Sequence, residues 1–355
     1  MAIRPKQLAG LLAKTIEARL PVLITGAPGI GKTALVEQAA DAAGADMIVS
    51  HPVVADPTDA KGLPFPNKTG TEAHFLPFGE LATALKAKKP TVWLLDDLGQ
   101  ASPAVQASFM NLILARRING HRLPECVTFV AATNRRTDRA GVSGILEPVK
   151  SRFATIVELQ ANLEDWQDWA VANSLPWELV SFMDFRGNKP APESKNDPFP
   201  HGLLHAFNAT VDLTNSPCPR TWAYVARLMD LGFQPDVELA AIAGAVGEGA
   251  AAEFIGFLRI CRELPSFDSI CMNPGTEIIP AKPAALYATA VMIASRANVH
   301  NMDAVATYIN RIAKDHGEIA ALAVRDMDRR KSVARETGAY QMLMRGPVGK
   351  LVRGE

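Results

Sequence analysis

Residues 26–34 read Gly-Ala-Pro-Gly-Ile-Gly-Lys-Thr-Ala, and the first eight fit the spacing G-x-x-x-x-G-K-[ST] at every position. Glycines in such a loop let successive backbone N–H groups turn inward around an anion, which side chains at those positions would block. A helix pattern starts at Lys32 and aims its positive end at the same point. Lys32 offers a cation to the outer phosphates of a nucleotide, and the Thr33 hydroxyl offers a hard oxygen to Mg²⁺. The expected phosphate site therefore comprises Gly26, Ala27, Pro28, Gly29, Ile30, Gly31, Lys32, Thr33 and Ala34.

A phosphate loop alone does no chemistry, so a second element must complete the metal site. The stretch TVWLLDDLGQAS (91–102) is an apolar strand candidate ending in Asp96 and Asp97. At such a strand end Asp96 can hold Mg²⁺, while Asp97 can orient or deprotonate an attacking water. A guanine-nucleotide enzyme is a poor match. DAKG (59–62) and NKTG (67–70) lie too close together, and the second lacks its aspartate. The LSGGQ signature of transport ATPases is absent. Small nucleotide kinases would leave the downstream polar residues unexplained.

The elements that must carry these residues are legible as a pattern. Apolar runs at 21–25, 46–51, 91–97, 127–134 and 154–159 read as buried strands. Helical periodicity at 5–19, 32–43, 80–88 and 103–117 separates them. Strands alternating with helices predict a parallel sheet covered on both faces, although their order cannot be read directly. After Leu159 the patterns are helical, and no strand is convincing. RGNKPAPESKNDPFPH (186–201) has four prolines and no period, which predicts a long exposed loop. The expectation is an α/β core over 1–159, a helical domain over 160–315 with the exposed loop at 186–201, and a helical basic segment over 316–355. Residues 321–355 hold eight basic and four acidic residues and read as a solvated helix and tail.

Three polar residues then fall in a telling order. FVAATNRR places Asn134 at a strand end, ILEPVKSRFA sets Arg152 beyond a short helix, and SPCPRTW puts Arg220 at a helix start. Together with the phosphate loop they resemble the AAA+ ATPases, and PRTW with the LEDWQDWA helix looks like the MoxR-like branch. The resemblance covers roughly residues 5 to 235. It implies a P-loop AAA+ core followed by an all-helical lid. It further implies hydrolysis of ATP with Mg²⁺ in a ring, a hexamer being expected, that remodels or matures a protein client, a von Willebrand factor A domain protein among them. By resemblance Asn134 is sensor 1, Arg152 the arginine finger acting on a neighbouring subunit's nucleotide, and Arg220 sensor 2. One departure stands out: the family's strand end carries Asp-Glu, and here it is Asp96-Asp97, one methylene shorter.

Two other function classes fit parts of the pattern. KSRF resembles clamp-loader finger motifs, which keeps a DNA-acting motor or loader in play. The short Asp97 fits a nucleotide-gated scaffold with weak hydrolysis. Thirty-seven basic and 37 acidic residues give zero formal net charge, so composition offers no case for nucleic acid or an anionic membrane. Cys126, Cys218, Cys261 and Cys271 show no metal or redox spacing and read as reduced thiols. With no signal peptide pattern and no long apolar run, a soluble cytoplasmic protein is the expectation. HGLLH (201–205) spaces two histidines as on a helix but lacks the glutamate and third ligand of a zinc site. Trp166 and Trp169 read as core. Residues 63–78 read as a hairpin turning at Asn67–Gly70, whose Phe65 and Phe75 either pack on the sheet or touch a substrate.

Overall fold

The computed structural model describes residues 2–138, 144–189, 197–199, 201–207 and 213–354. The chain divides into two compact units, the first running through Asn162 and the second starting at Leu163.

In the first unit the strands are β1 (Ala2–Ile3), β2 (Val22–Thr25), β3 (Asp46–Ser50), β4 (Leu63–Pro66), β5 (Ala73–Leu76), β6 (Thr91–Leu95), β7 (Arg117–Ile118), β8 (His121–Arg122), β9 (Val127–Thr133) and β10 (Thr155–Leu159). Its helices are α1 (Pro5–Glu17), α2 (Lys32–Ala42), α3 (Pro57–Lys61), α4 (Gly79–Leu85), α5 (Pro103–Ala115) and α6 (Glu147–Lys150). Six strands form one parallel sheet in the order β1-β10-β2-β9-β6-β3. Every residue of β6 and β9 is buried, as a sheet covered on both faces requires. The two faces alternate residue by residue. Val92, Leu94, Val130 and Ala132 pack with Leu8 and Leu12 of α1 and Val36 of α2, while Trp93, Leu95, Phe129 and Ala131 pack with Phe109 and Leu112 of α5. Helix α1 presents Leu8, Leu12 and Ile16 at four-residue spacing, with Pro5 in its first turn. Helix α5 starts at Pro103, where the Ser102 hydroxyl accepts the Val105 N–H.

The five strands read from the sequence are all present. The two-residue β1, which pairs with the end of β10, is too short to leave a pattern. The 63–78 hairpin forms as β4 and β5, with the Gly70 N–H donating to the Asn67 carbonyl in its turn. Phe65 is half exposed on it.

Among its described residues the second unit has helices and no strand: α7 (Leu163–Ala172), α8 (Trp177–Arg186), α9 (Pro219–Met229), α10 (Pro235–Val246), α11 (Glu248–Arg262), α12 (Phe267–Met272), α13 (Pro283–Arg296), α14 (Met302–Ile312), α15 (Gly317–Arg329), α16 (Gly338–Arg345) and α17 (Pro347–Arg353). Trp166 is buried against the partly exposed Trp169, with ring centroids 6.3 Å apart. Two expectations change here. First, the segment 186–201 is not simply exposed: Arg186, the last residue of α8, is 1% exposed and pairs with Asp197, whose side chain is 4% exposed. Residues 190–196 and 200 of that segment lie outside the described residues. Second, the basic C-terminal segment is helical but not a solvated tail. Val324, Met327, Tyr340, Leu343 and Val348 are buried in the same core as α13 and α14. The HGLLH stretch at 201–205 forms a turn and bend, with Leu203 and Leu204 buried, so its i, i+4 histidine spacing has no common face. Among the described residues no group of histidines, cysteines and carboxylates could hold a metal ion, and no helix is long and apolar enough to cross a membrane.

Candidate functional site

The strand order decides which loops meet. β2, β9 and β6 are consecutive neighbours, so the residues after their C-terminal ends form one edge. The phosphate loop follows β2, Asp96 and Asp97 follow β6, and Asn134 follows β9. Ligands of open parallel sheets bind at this edge.

Local backbone shapes the loop. Gly29 and Gly31 adopt φ of 72° and 95°, and Gly31 is the residue from which α2 starts. Only glycine takes these values without strain, and they turn the loop back toward the N-terminus of α2. Lys32 is the first helical residue and is 7% exposed. Its ammonium donates to the carbonyls of Gly26 and Ala27 at 3.0 Å each and to Asn134 Oδ1 at 2.7 Å. The Thr33 hydroxyl donates to Asp96 Oδ2 at 2.8 Å.

Asp97 sits in the left-handed region, with φ 57° and ψ 33°. This conformation costs about 1–2 kcal/mol for most side chains and is least unfavourable for Asp and Asn. The bend lifts its carboxylate off the strand axis, where Gln100 Nε2 donates to Oδ1 at 2.9 Å and Asn134 Nδ2 approaches the same oxygen at 3.4 Å. The turn lies tight against β9: a Cβ on Gly99 would stand 2.2 Å from Thr133 Oγ1. Asn134 thus links the phosphate-loop lysine to Asp97 through the two ends of one amide. Its own loop is clamped by Arg135, whose guanidinium pairs with the buried Asp138 at 2.8 Å and with Glu158 of β10 at 3.1 Å. These carboxylates, Asp138 foremost, raise the pKa of Arg135 and keep it charged.

Five residues expected at the site therefore converge: Lys32, Thr33, Asp96, Asp97 and Asn134. Arg152 does not join them. It follows α6 and precedes β10, whose first residue pairs with the first of β2, so it lies at the opposite end of the strands from Lys32. Its Nη1 donates to Ser151 Oγ at 2.7 Å, and its Nε is buried with no hydrogen-bond partner. Arg220 belongs to the second unit, exposed at the second position of α9 behind Pro219. Sequence reasoning missed Gln100 and the Arg135–Asp138 clamp. Each is a residue three positions from its partner, a spacing that brings side chains together in a tight turn.

The set suits a nucleotide with a divalent cation. Hard oxygens of Thr33 and Asp96 meet at the mouth of a loop that already holds an ammonium group, which is the donor chemistry Mg²⁺ takes. The fold and site thus define a P-loop nucleotide-binding α/β protein. Residues 21–153 match the family model of the AAA domain, dynein-related subfamily. With the strand order above, the first unit has the AAA+ P-loop fold, and a helical region follows it. Among solved structures, the Thermotoga maritima RuvB Holliday junction branch migration motor is 18% identical. That match covers 76% of this chain and 74% of RuvB, with a TM-score of 0.39. NtrX from Brucella abortus, solved in complex with ADP, is 14% identical over 92% of this chain and 68% of its own, with a TM-score of 0.40. No curated protein matches the chain.

Proposed function

We propose that the protein is an ATP hydrolase of the AAA+ type that works with Mg²⁺ in a ring, expected to be a hexamer, and uses turnover to remodel a protein partner. The PRTW and LEDWQDWA stretches resemble the MoxR-like branch, and a von Willebrand factor A domain protein is the client class that this resemblance suggests. In this reading residues 1–159 are the nucleotide-binding core, 160–315 a lid and 316–355 a helical C-terminal segment. What supports it most is the convergence of Lys32, Thr33, Asp96, Asp97 and Asn134 at the edge formed by β2, β9 and β6.

In this reading the five converging residues take roles that suit their contacts, and the two arginines take the roles that the resemblance implies. Thr33 and Asp96 would hold Mg²⁺, which offsets charge on the outer phosphates when bound. A phosphate oxygen competes with Asn134 Oδ1 for the Lys32 ammonium, so nucleotide arrival and the position of Asn134 are linked. Asn134 in turn bears on Asp97, the group that orients water or takes its proton. Arg152, at the far end of the strands, would serve the nucleotide of a neighbouring subunit, where a guanidinium fork stabilises charge on the transferring phosphoryl group. Arg220 would sense that phosphate from the lid.

Asp97→Asn provides the test, because the amide keeps the shape and cannot accept a proton. The full-length variant should bind ATP normally, hydrolyse almost none, and retain a protein partner on a resin only when ATP is present. Normal turnover would remove Asp97 from the role of base. Retention of duplex DNA that falls steeply with salt, in place of protein, would favour a DNA motor instead.

A further inference from the structure

The other edge of the same sheet, where the strands begin, carries a cavity of about 520 Å³ whose wall is dominated by Arg19, Arg116, Arg117 and Arg122. Glu125 contributes the one carboxylate of the lining, and Leu114 part of its apolar wall. The backbone brings the arginines together from three places. Arg19 follows α1 with φ 58°, and Arg116 ends α5 with φ 55°. Arg117 and Arg122 are paired residues of the β7–β8 hairpin, directly across from each other. The hairpin turns on Asn119 and Gly120, both at positive φ (44° and 83°), the pattern of the tightest two-residue turn. That turn fixes the register and so fixes one arginine against the other.

Like charges opposite each other on a hairpin are destabilising, and little here offsets them. Glu125 reaches Arg19 at 3.8 Å and Arg122 at 3.7 Å, beyond hydrogen-bond length, and all three side chains are more than half exposed. Arg116 donates to the Pro124 carbonyl at 2.6 Å, which holds its guanidinium in the wall. Burial first, and then the charge of Arg19, press its pKa downward. Four cations and one anion leave an excess of three positive charges in one concavity, on a chain whose total is zero.

We propose that this cavity is an anion site for a small ligand bearing adjacent phosphate groups, of the pyrophosphate type. Guanidinium forks pair two N–H donors with two phosphate oxygens, and an excess of three charges calls for a polyanion rather than a single carboxylate. A concavity of this size suits a small molecule, whereas a duplex backbone is tracked by cations spread along a stripe. The site is separate from the nucleotide loop. The seven residues of β9 stand between Glu125 and Asn134, roughly 20 Å of strand, so no small ligand spans both.

Full-length Lys32→Ala protein, with its nucleotide loop disabled, isolates the cavity in equilibrium dialysis with labelled pyrophosphate. One site per chain is expected. Adding Arg117→Gln and Arg122→Gln should weaken it at least about tenfold, through loss of charge-assisted hydrogen bonds. Adding Glu125→Gln should instead tighten it about threefold, a gain that a damaged fold cannot produce. A nucleoside diphosphate that displaces the label would mark nucleotides as the natural source. Failure to displace would mark inorganic or other small phosphates, and either result supports the site. Unchanged affinity in both sets of variants overturns it. So does duplex DNA that binds through Arg117 and Arg122 while pyrophosphate does not bind at all. In the Lys32 background of the native chain, Arg117→Gln/Arg122→Gln should leave ATP affinity unchanged, so failure here is distinct from failure of the nucleotide loop.

Discussion

The two units bury charge for different ends. Among the described residues of the first unit, the buried charged side chains are Lys32 and Asp138, and both lie beyond the C-terminal ends of strands. Lys32 faces the phosphate loop, and Asp138 steadies the loop of Asn134 through Arg135. The second unit buries Asp165, Asp184, Arg186 and Asp326 in a helical interior. There Arg186 joins α8 to Asp197 and to Glu253 of α11, and Asp326 of α15 holds Arg329 and Arg330, with Arg329 reaching Asp168 of α7. Buried charge in the first unit gathers at the edge that holds the phosphate loop, and in the second unit it ties helices together. Substitutions should separate along that line, some abolishing turnover in a stable protein and others loosening a protein that still binds nucleotide.

The largest effect is expected at Arg152. Arg152→Ala should bind ATP nearly normally and lose about 10³–10⁵-fold in turnover, the range for removing an arginine finger. Lys32→Ala should weaken ATP binding at least about 100-fold, because two or more charge-assisted hydrogen bonds to phosphate are lost. Mixing the two inactive proteins sharpens the comparison. Some interfaces would then pair an intact Lys32 with an intact Arg152, and part of the activity should return. Normal turnover by Arg152→Ala alone would end the finger assignment. A mixture that exchanges subunits and stays inactive would place the arginine's action within its own chain or require every site intact.

How much of this was legible in the sequence follows the same division. The phosphate loop, the Asp96-Asp97 strand end and Asn134 could be read because each is a local pattern tied to a strand end. Their meeting could not, because the strand order comes from how six strands pack rather than from any one of them. The β7–β8 hairpin leaves no strand pattern, because its strands are only two residues long, although its Asn119-Gly120 pair is a strong turn signal. In the second unit the basic excess of 321–355 suggests solvent. Arg329 and Arg330 instead meet a carboxylate with no exposure at all, and Arg325 and Arg353 donate to backbone carbonyls. Composition shows charge but not its partners, and only tertiary structure brings Asp168 and Asp326 to the same arginine.

Arg186→Met tests the structural side. The guanidinium is 1% exposed and holds Asp197, Glu253 and the carbonyls of Lys189 and Phe199. Removing it leaves Asp197, itself 4% exposed, as a buried carboxylate without its cation. Breaking a buried pair in this way costs about 3–5 kcal/mol. Urea unfolding should show a loss of that order, while the ATP dissociation constant of the folded protein stays within about twofold of the parent. A loss below about 1 kcal/mol would mean that the ion pair is no tie between helices.

The smallest effect concerns Asp184 of α8, and it depends on pH. Burial, and next the negative charge of Asp326, raise its pKa from 3.8 to about 6, against the opposing influence of Arg329, the hydrogen bond from Gln167 and Lys189. One oxygen, Oδ2, is buried without a hydrogen-bond partner, so no hydrogen bond at that oxygen adds to the one Gln167 gives the other. Below the ordinary value both folded and unfolded chains hold the proton, and Asp184 adds no penalty. Between about pH 4 and 6 the unfolded chain releases the proton while the folded chain keeps it. Stability from this group therefore falls as pH rises through that window and levels off above it, by at most about 3 kcal/mol for a shift of this size. Asp184→Asn removes the ionisation and keeps the shape. Urea unfolding at pH 4.5, 5.5 and 7.5 should show the parent losing stability relative to the variant across the series, with the two closest at the lowest pH. A constant difference at all three would mean that Asp184 ionises as readily folded as unfolded, and that its burial is relieved by partners other than Gln167 and Arg329.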